Sequence, residues 1–317
     1  MRVGILGAGK IAGTMAKTII KTEGVSLYAV ASRTYDKAQA FAESYGVDTA
    51  YGSYEELVND EKVDLVYIAT PHSHHYEHMK LCIEHGKPVL CEKAFTMTAA
   101  ETREILELAK AKHVFVAEAI WTRYMPSRTI IDELLASGIV GQISMVTANL
   151  SYDIDQVERL IRPELAGGAL LDIGIYGLNF FVMHLGKDIE KIESSVRFTE
   201  TGVDGMESIS ILYKGGPMAV TTHSIYGRSD RKGIFTGETG YIIVENINNP
   251  REINVYNKED ELISHIDMPE QISGYEYELL ECKKCIEEGK IMPDSMPHDE
   301  TLYMMELMES ISSKWEK

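Results

Sequence analysis

Residues 1 to 20, MRVGILGAGKIAGTMAKTII, decide the fold. A short apolar, β-branched run (Arg2 to Leu6) passes directly into Gly7-Ala8-Gly9, and a helix-forming segment begins at once with Lys10, Ile11 and Ala12. Strand, glycine turn and helix in immediate succession are the context that a GxGxxG/A fingerprint requires. Gly7 permits the tight turn, Gly9 lets a pyrophosphate approach the backbone, and Ala12 allows helix and strand to pack closely. The free amides and positive dipole end of the helix N-terminus then face the phosphates.

Working outward, short β-branched runs alternate with amphipathic segments. Strands are predicted at 2–6, 26–31, weakly at 49–51, and at 64–70, 88–92 and 114–118. Between them, DKAQAFAESYG and TAAETREILELAKAKH carry apolar residues at three- and four-residue spacing, and Gly46 stops the first of these helices. Repeated βαβ units predict a doubly wound parallel α/β sheet, a Rossmann domain over residues 1–121. The rhythm then changes. A helix (PSRTIIDELLASG) and a Gly-rich helical stretch precede alternating strands between about residues 189 and 257, and two helical runs close the chain, near 272–289 and 298–316. Residues 122–317 are therefore expected to form an α+β domain with an open, mostly antiparallel sheet, used for substrate binding and dimerisation.

Composition narrows the function. The formal net charge of −18 disfavours nucleic acid as a partner, so an anionic cofactor has to be held by a local cluster of amides and cations. No stretch reads as a membrane span, and the opening residues do not resemble a secretory signal, so a cytoplasmic location is expected. The four cysteines do not suggest a disulfide framework, and the CxxC at Cys282 and Cys285 lies in a helical run without further ligands at zinc spacing.

Cofactor choice turns on the end of the second strand, where an acidic residue about twenty positions beyond the fingerprint would hold an NAD ribose. Ser32-Arg33-Thr34 stands there instead, with Lys37 a turn later; a hydroxyl and cations suit a 2′-phosphate, hence NADP rather than NAD. Ligands of open α/β sheets bind beyond the carboxyl ends of the strands. Thr70-Pro71-His72-Ser73-His74-His75, Glu92-Lys93 and Trp121-Thr122-Arg123 fall in such places, and Thr70, Pro71, His72, His75, Glu92 and Lys93 are expected along the cofactor. Histidines 72, 74, 75 and 78 invite a metal, but only Glu77 stands near to complete a site and hydride transfer requires none, so no metal is expected.

GAGKIA, ATPHSHH, CEKAFT, EAIWTRYMP and GGALLDIGIYGLN, in this order along nearly the whole chain, resemble the Gfo/Idh/MocA oxidoreductases, most of all the branch containing dimeric dihydrodiol dehydrogenase and NADP-linked xylose dehydrogenase. The resemblance implies NAD(P)-dependent hydride transfer at a hydroxyl or carbonyl carbon of a sugar, polyol or cyclic diol. It carries the family's essential lysine to Lys93, in a Glu92-Lys93-Ala94 variant of Glu-Lys-Pro. Alanine in place of proline predicts a trans peptide after Lys93 and a slightly rearranged loop. It also carries the second catalytic motif to Asp172 and Tyr176, which share a helix face at i, i+4. A tyrosine is a poor base at neutral pH, but a nearby lysine favours its phenolate, and a carboxylate such as Asp172 can hold that lysine.

By the same resemblance Trp121, Arg123 and Arg162 lie at the cleft mouth. A tryptophan face suits a sugar ring and equally fills an interface. The resemblance and the open sheet together imply a homodimer. Two other functions fit the sequence: a non-catalytic dinucleotide-sensing regulator, which need not keep the Lys93, Asp172 and Tyr176 set, and a redox-neutral glycosidase that oxidises and re-reduces its sugar on a bound nicotinamide.

Overall fold

A computed structural model describes residues 1–316, which divide into two compact units. The first comprises Met1–Tyr124 together with Gln271–Glu306, and the second Met125–Glu270 with residues 307–316. The single cut expected after residue 121 thus becomes a chain that returns to its first unit.

In the first unit β1 (Arg2–Leu6), β2 (Ser26–Ala31), β3 (Thr49–Tyr51), β4 (Leu65–Ile68), β5 (Val89–Glu92) and β6 (Val116–Ala119) form a parallel sheet in the order β3-β2-β1-β4-β5-β6. This is the doubly wound arrangement, with its topological switch between β1 and β4. Five helices alternate with the strands: α1 (Lys10–Lys21), α2 (Tyr35–Tyr45), α3 (Tyr54–Asn59), α4 (His75–Glu84) and α5 (Ala99–Lys112). Local chemistry sets their ends. Ser53 with Glu56 and Thr98 with Glu101 form capping boxes at the starts of α3 and α5, and Gly46 ends α2 in the left-handed region at φ 67°.

The second unit begins with α6 (Pro126–Ser137), with proline in its first turn and Gly138 at its C-cap. Its eight-stranded sheet has the order β14-β13-β12-β11-β7-β10-β9-β8, built from β7 (Ile143–Ser151), β8 (Ile189–Phe198), β9 (Asp204–Tyr213), β10 (Met218–Ser224), β11 (Gly233–Gly237), β12 (Gly240–Val244), β13 (Glu252–Asn257) and β14 (Leu262–Asp267). Only β7 and β10 pair in parallel. A short π segment, Leu170–Gly174, leads into α7 (Ile175–Leu185), whose buried face packs on β7 and β10.

The helical run Pro163–Leu185 is, among the described residues, long and apolar enough to match a membrane span, contrary to the sequence reading. Its apolar window is 78% buried within the fold, so its hydrophobicity serves a core helix.

Two further helices are α8 (Glu276–Glu287), in the first unit, and α9 (His298–Ser312). The return of the chain has a packing reason. Leu279, Cys282 and Cys285 of α8 join Met15, Ala16 and Ile19 of α1 in one apolar cluster, which closes a face that the sheet and α1 would otherwise expose. The CxxC pair is thereby core material, and all four cysteines are free and buried.

Candidate active site

The switch point of the parallel sheet is shaped by glycine. Gly7 has φ +106°, its amide donates to Ala31 O at 2.9 Å, and a Cβ there would lie 3.0 Å from the Ala69 carbonyl oxygen. Turn geometry and close approach to the end of β4 both demand glycine. Gly9 differs: it caps α1 with ordinary extended angles (φ −93°, ψ −171°), and a Cβ on it would meet nothing nearer than Ala69 O at 3.9 Å. The space such a methyl would fill is the seat a pyrophosphate needs. No side chain caps α1 and its first turn has no acidic residue, so the amides of Lys10, Ile11 and Ala12 suit an anion. The turn therefore fits a dinucleotide.

At the end of β2, Ser32 is buried and its amide donates to Tyr51 O at 3.2 Å, while Arg33 and Lys37 are exposed. Arg33 lies close enough to Tyr54 and His78 to act electrostatically on both. Burial draws His78 down to about 4, and its Nδ1 sits 3.0 Å from the Thr70 hydroxyl. Arg33 is thus the cation beside the crevice, among neutral neighbours.

Thr70 and Pro71 follow β4 and lead into a 3-10 turn, His72–His74. The histidines of this run bond within the protein. Nδ1 of His74 meets Ser73 Oγ at 2.9 Å, and the fully buried His75 places Nδ1 2.9 Å from Ala94 O and Nε2 2.9 Å from Thr70 O. Burial lowers His75 to about 4 against the pull of the Thr70 and Ala94 carbonyls, so at neutral pH the ring is uncharged and its single N–H donates to one of them at a time. His72 is buried, its ring 5.7 Å from that of His75. Among the described residues, the one group that brings three potential metal-ligating atoms together is elsewhere, at Glu252, His265 and Asp267 on β13 and β14.

Glu92 ends β5, buried, and accepts a hydrogen bond from the Tyr67 hydroxyl. Lys93 follows, half-buried, near enough to His75 and Glu118 to influence both electrostatically. The Lys93–Ala94 peptide is cis, where the sequence predicts trans. The surroundings hold the backbone there: Ala94 is fully buried, its carbonyl lies against His75, and the Phe95 amide donates to Glu118 Oε1 at 3.2 Å.

Behind Lys93, burial pushes the Glu118 carboxyl up to about 7, against the opposing pull of Arg123, the Phe95 amide, Thr301 and Lys93 itself. Arg123 is buried with Nη1 3.0 Å from Glu300 Oε2, and Trp121 stacks on Tyr275 with ring centroids 4.2 Å apart. Both side chains are thus engaged by the returning C-terminal segment.

In the second unit, Asp172 lies in the π segment and Tyr176 in the first turn of α7, both buried. A π turn spreads the backbone locally, and such turns recur at functional sites. Arg159 donates from Nη2 to Asp172 Oδ1 at 2.9 Å. Arg162, expected at the cleft mouth, pairs with Glu158 and Glu164. Nothing in the local pattern singles out Arg159; only the fold selects it.

A glycine turn fit for pyrophosphate at the switch point of a 3-2-1-4-5-6 sheet, with a lysine at the end of the fifth strand, defines a dinucleotide-dependent oxidoreductase. Residues 1–119 match the family model described as "Oxidoreductase family, NAD-binding Rossmann fold", and residues 130–243 match the GFO/IDH/MocA C-terminal domain. The chain belongs to the Gfo/Idh/MocA family of oxidoreductases.

It is similar to mouse trans-1,2-dihydrobenzene-1,2-diol dehydrogenase, 32% identical over 322 residues that cover 98% of this chain and 95% of the relative. It is similar also to D-xylose 1-dehydrogenase (NADP(+)) of Hypocrea jecorina, 34% identical over 359 residues covering 98% and 90%. Among solved structures, a 3-ketoreductase from Actinomadura kijaniata in complex with NADP and TDP-benzene superposes with a TM-score of 0.90 at 21% identity, covering 99% of this chain and 97% of that one.

Proposed function

We propose that this protein is an NADP-preferring dehydrogenase or reductase acting on a CH–OH carbon of a small polyhydroxylated molecule: an aldose, a polyol or a cyclic diol. The observation that carries the reading is the joint presence of the Gly7–Gly9 seat, Lys93 at the end of β5, and Asp172 and Tyr176 at the entry to α7. NADP is favoured over NAD by the exposed Arg33 and Lys37 where an acidic residue would serve NAD. The xylose dehydrogenase named for NADP and the ketoreductase solved with it accord with that choice.

When bound, the nicotinamide supplies the two-electron exchange with the carbinol carbon. The chain's own residues manage the proton. In oxidation the Tyr176 phenol oxygen takes the substrate hydroxyl proton, and in reduction it returns it. Lys93 is assigned, by the family resemblance, to steadying developing alkoxide charge. Arg159 holds the carboxylate of Asp172, which borders this proton path. Thr70, Pro71, His72, His75 and Glu92 shape the cofactor wall, and Trp121, Arg123 and Arg162 belong to the substrate side of the proposal.

The test is a screen of NADP(H)-linked turnover across sugars, inositols, diols and simple aldehydes, with two variants. Lys93→Met is expected to abolish turnover while NADPH binding survives, and Tyr176→Phe to lower kcat by about 10²- to 10⁴-fold. Full activity in Lys93→Met would remove the reading. Sugar release without net change in nicotinamide absorbance would replace it with redox-neutral chemistry, and tight cofactor binding with no turnover on any substrate would favour a sensor.

The proposal extends to a cytoplasmic homodimer. Four buried thiols accord with a reducing compartment, and Met145 and Met218, cross-strand neighbours exposed on the open face of the second sheet, accord with a surface covered by a second copy. Gel filtration showing a monomer at working concentration would remove the dimer.

A further inference from the structure

Beneath the segment that carries Asp172 and Tyr176 lies a row of buried polar groups with no evident contribution to stability. Glu207 of β9 and His223 of β10 are directly opposed across the antiparallel pair, and both side chains are fully buried. His223 Nδ1 is 3.0 Å from Glu207 Oε1, although the approach is off the axis of a well-formed hydrogen bond. Its other nitrogen, Nε2, is 2.9 Å from the hydroxyl of Thr221, which is also fully buried.

The helix rests on these groups at glycine. A Cβ on Gly174 would come within 2.7 Å of Glu207 Oε1 and 3.3 Å of His223 Nδ1, and one on Gly177 would strike His223 Nε2 and Thr221 Oγ1. At the head of the segment, Asp204 Oδ2 accepts from the Leu170 amide at 2.6 Å, and a Cβ on Gly168 would collide with the same carboxyl. Between residues 168 and 177, then, three glycines let the backbone settle onto one polar row, and Asp172 and Tyr176 project from that stretch.

Stability does not account for this arrangement. A buried carboxyl and imidazole are commonly matched or bettered by apolar residues of similar volume. Glycine in a helix interior is further disfavoured against alanine. The row therefore reads as a device for placing the helix.

We propose that Glu207, His223, Thr221 and Asp204 are positioning residues that fix the π turn so that Asp172 and Tyr176 hold the geometry required for proton transfer. The inference rests on the reading of Tyr176 as the proton-transfer group. Burial raises the carboxyl of Glu207 and lowers His223 to about 3, so the pair is uncharged, with His223 Nε2 in hydrogen-bond contact with the Thr221 hydroxyl. Burial and the neighbouring Glu207 carboxyl also raise Asp204. The uncharged Glu207–His223–Thr221 group can seat the helix without adding a charge of its own beside the reacting groups.

The experiment compares four purified full-length variants with wild type: Glu207→Met/His223→Leu, Glu207→Gln, Thr221→Val and Tyr176→Phe. Its readouts are Tm, NADPH affinity, amide hydrogen exchange over residues 168–177, and NADP-linked oxidation of D-xylose or of whichever polyol in the screen turns over. The apolar double variant is expected to keep Tm and NADPH affinity, to exchange faster over 168–177, and to lose at least about 10-fold in kcat with KM little changed. Glu207→Gln, which keeps a donor toward Nδ1, should recover kcat to within a few-fold. Thr221→Val should lose kcat several-fold at unchanged Tm, and it serves if the double variant does not fold.

Wild-type kcat in a folded double variant, or in Thr221→Val, overturns the positioning role while leaving the enzyme reading intact if Tyr176→Phe is inactive. An active Tyr176→Phe overturns the reading on which the inference rests.

Discussion

Replacing Gly9 by alanine separates cofactor binding from folding, because the structure makes the two consequences unequal. Backbone angles of φ −93° and ψ −171° are open to any L-residue, and the added methyl meets its nearest neighbour, Ala69 O, at 3.9 Å, an ordinary van der Waals contact. Reduced entropy of the unfolded chain favours the alanine by about 0.4–1 kcal/mol. Loss of glycine at an N-cap opposes it by a similar amount, about 0.5–1 kcal/mol. The net change in stability is expected to be about 0.5 kcal/mol or less, with Tm moving by roughly 2 °C at most.

Binding responds differently. The methyl occupies the pyrophosphate seat and pushes phosphate oxygens away from the first-turn amides of α1. Losing one or two charge-assisted hydrogen bonds removes about 1.5–3 kcal/mol, which weakens NADPH binding about 10- to 100-fold. Fluorescence titration with NADPH and thermal unfolding without cofactor measure the two quantities. Gly7→Ala is the control, since φ +106° and a 3.0 Å approach to Ala69 O should destabilise the fold itself by about 1–3 kcal/mol. If Gly9→Ala folds like wild type and binds NADPH with the wild-type Kd, the dinucleotide does not lie on this turn.

Two further outcomes follow from side chains. Arg33→Asp should move the NADP-to-NAD preference by about 10- to 100-fold through loss of the guanidinium–phosphate contact, and kcat/KM with each cofactor measures it; an unchanged ratio would place the 2′-phosphate elsewhere. Glu118 ionises near 4.5 in an unfolded chain but near 7 in the folded one. Its contribution to stability is therefore full below about 4.5 and is lost as pH rises through about 7, because the native state keeps a proton that the unfolded state has released. Glu118→Gln should flatten this decline between pH 5 and 7 by on the order of 3 kcal/mol, read from urea midpoints at each pH, whereas a slope equal to wild type would mean Glu118 is ionised in the native protein.

Much of the first unit was legible because its signals are local. β1, β2 and β3 begin and end where alternating β-branched runs place them, and Gly46 and Gly138 stop their helices through a left-handed conformation that glycine adopts without cost. The second sheet was legible in kind but not in extent. β7 and β14 went unread, β7 because it sits at the sheet's centre, where pairing with β10 and β11 supplies what its mixed polar pattern does not announce. The apolar run ending in α7 illustrates the same limit from the other side, since its core role depends on what packs around it.

By itself the sequence determined the two sheet classes and the glycine turn between β1 and α1, each carried by residues within a few positions of one another. Tertiary structure alone decided that the C-terminal segment returns to α1, that Lys93–Ala94 is cis, that Arg159 holds Asp172, and that Glu207 faces His223 beneath Gly174 and Gly177. Each of these joins residues through packing, strand register or burial. Such contacts are set by the collapse of the chain as a whole, and neither spacing nor propensity encodes them.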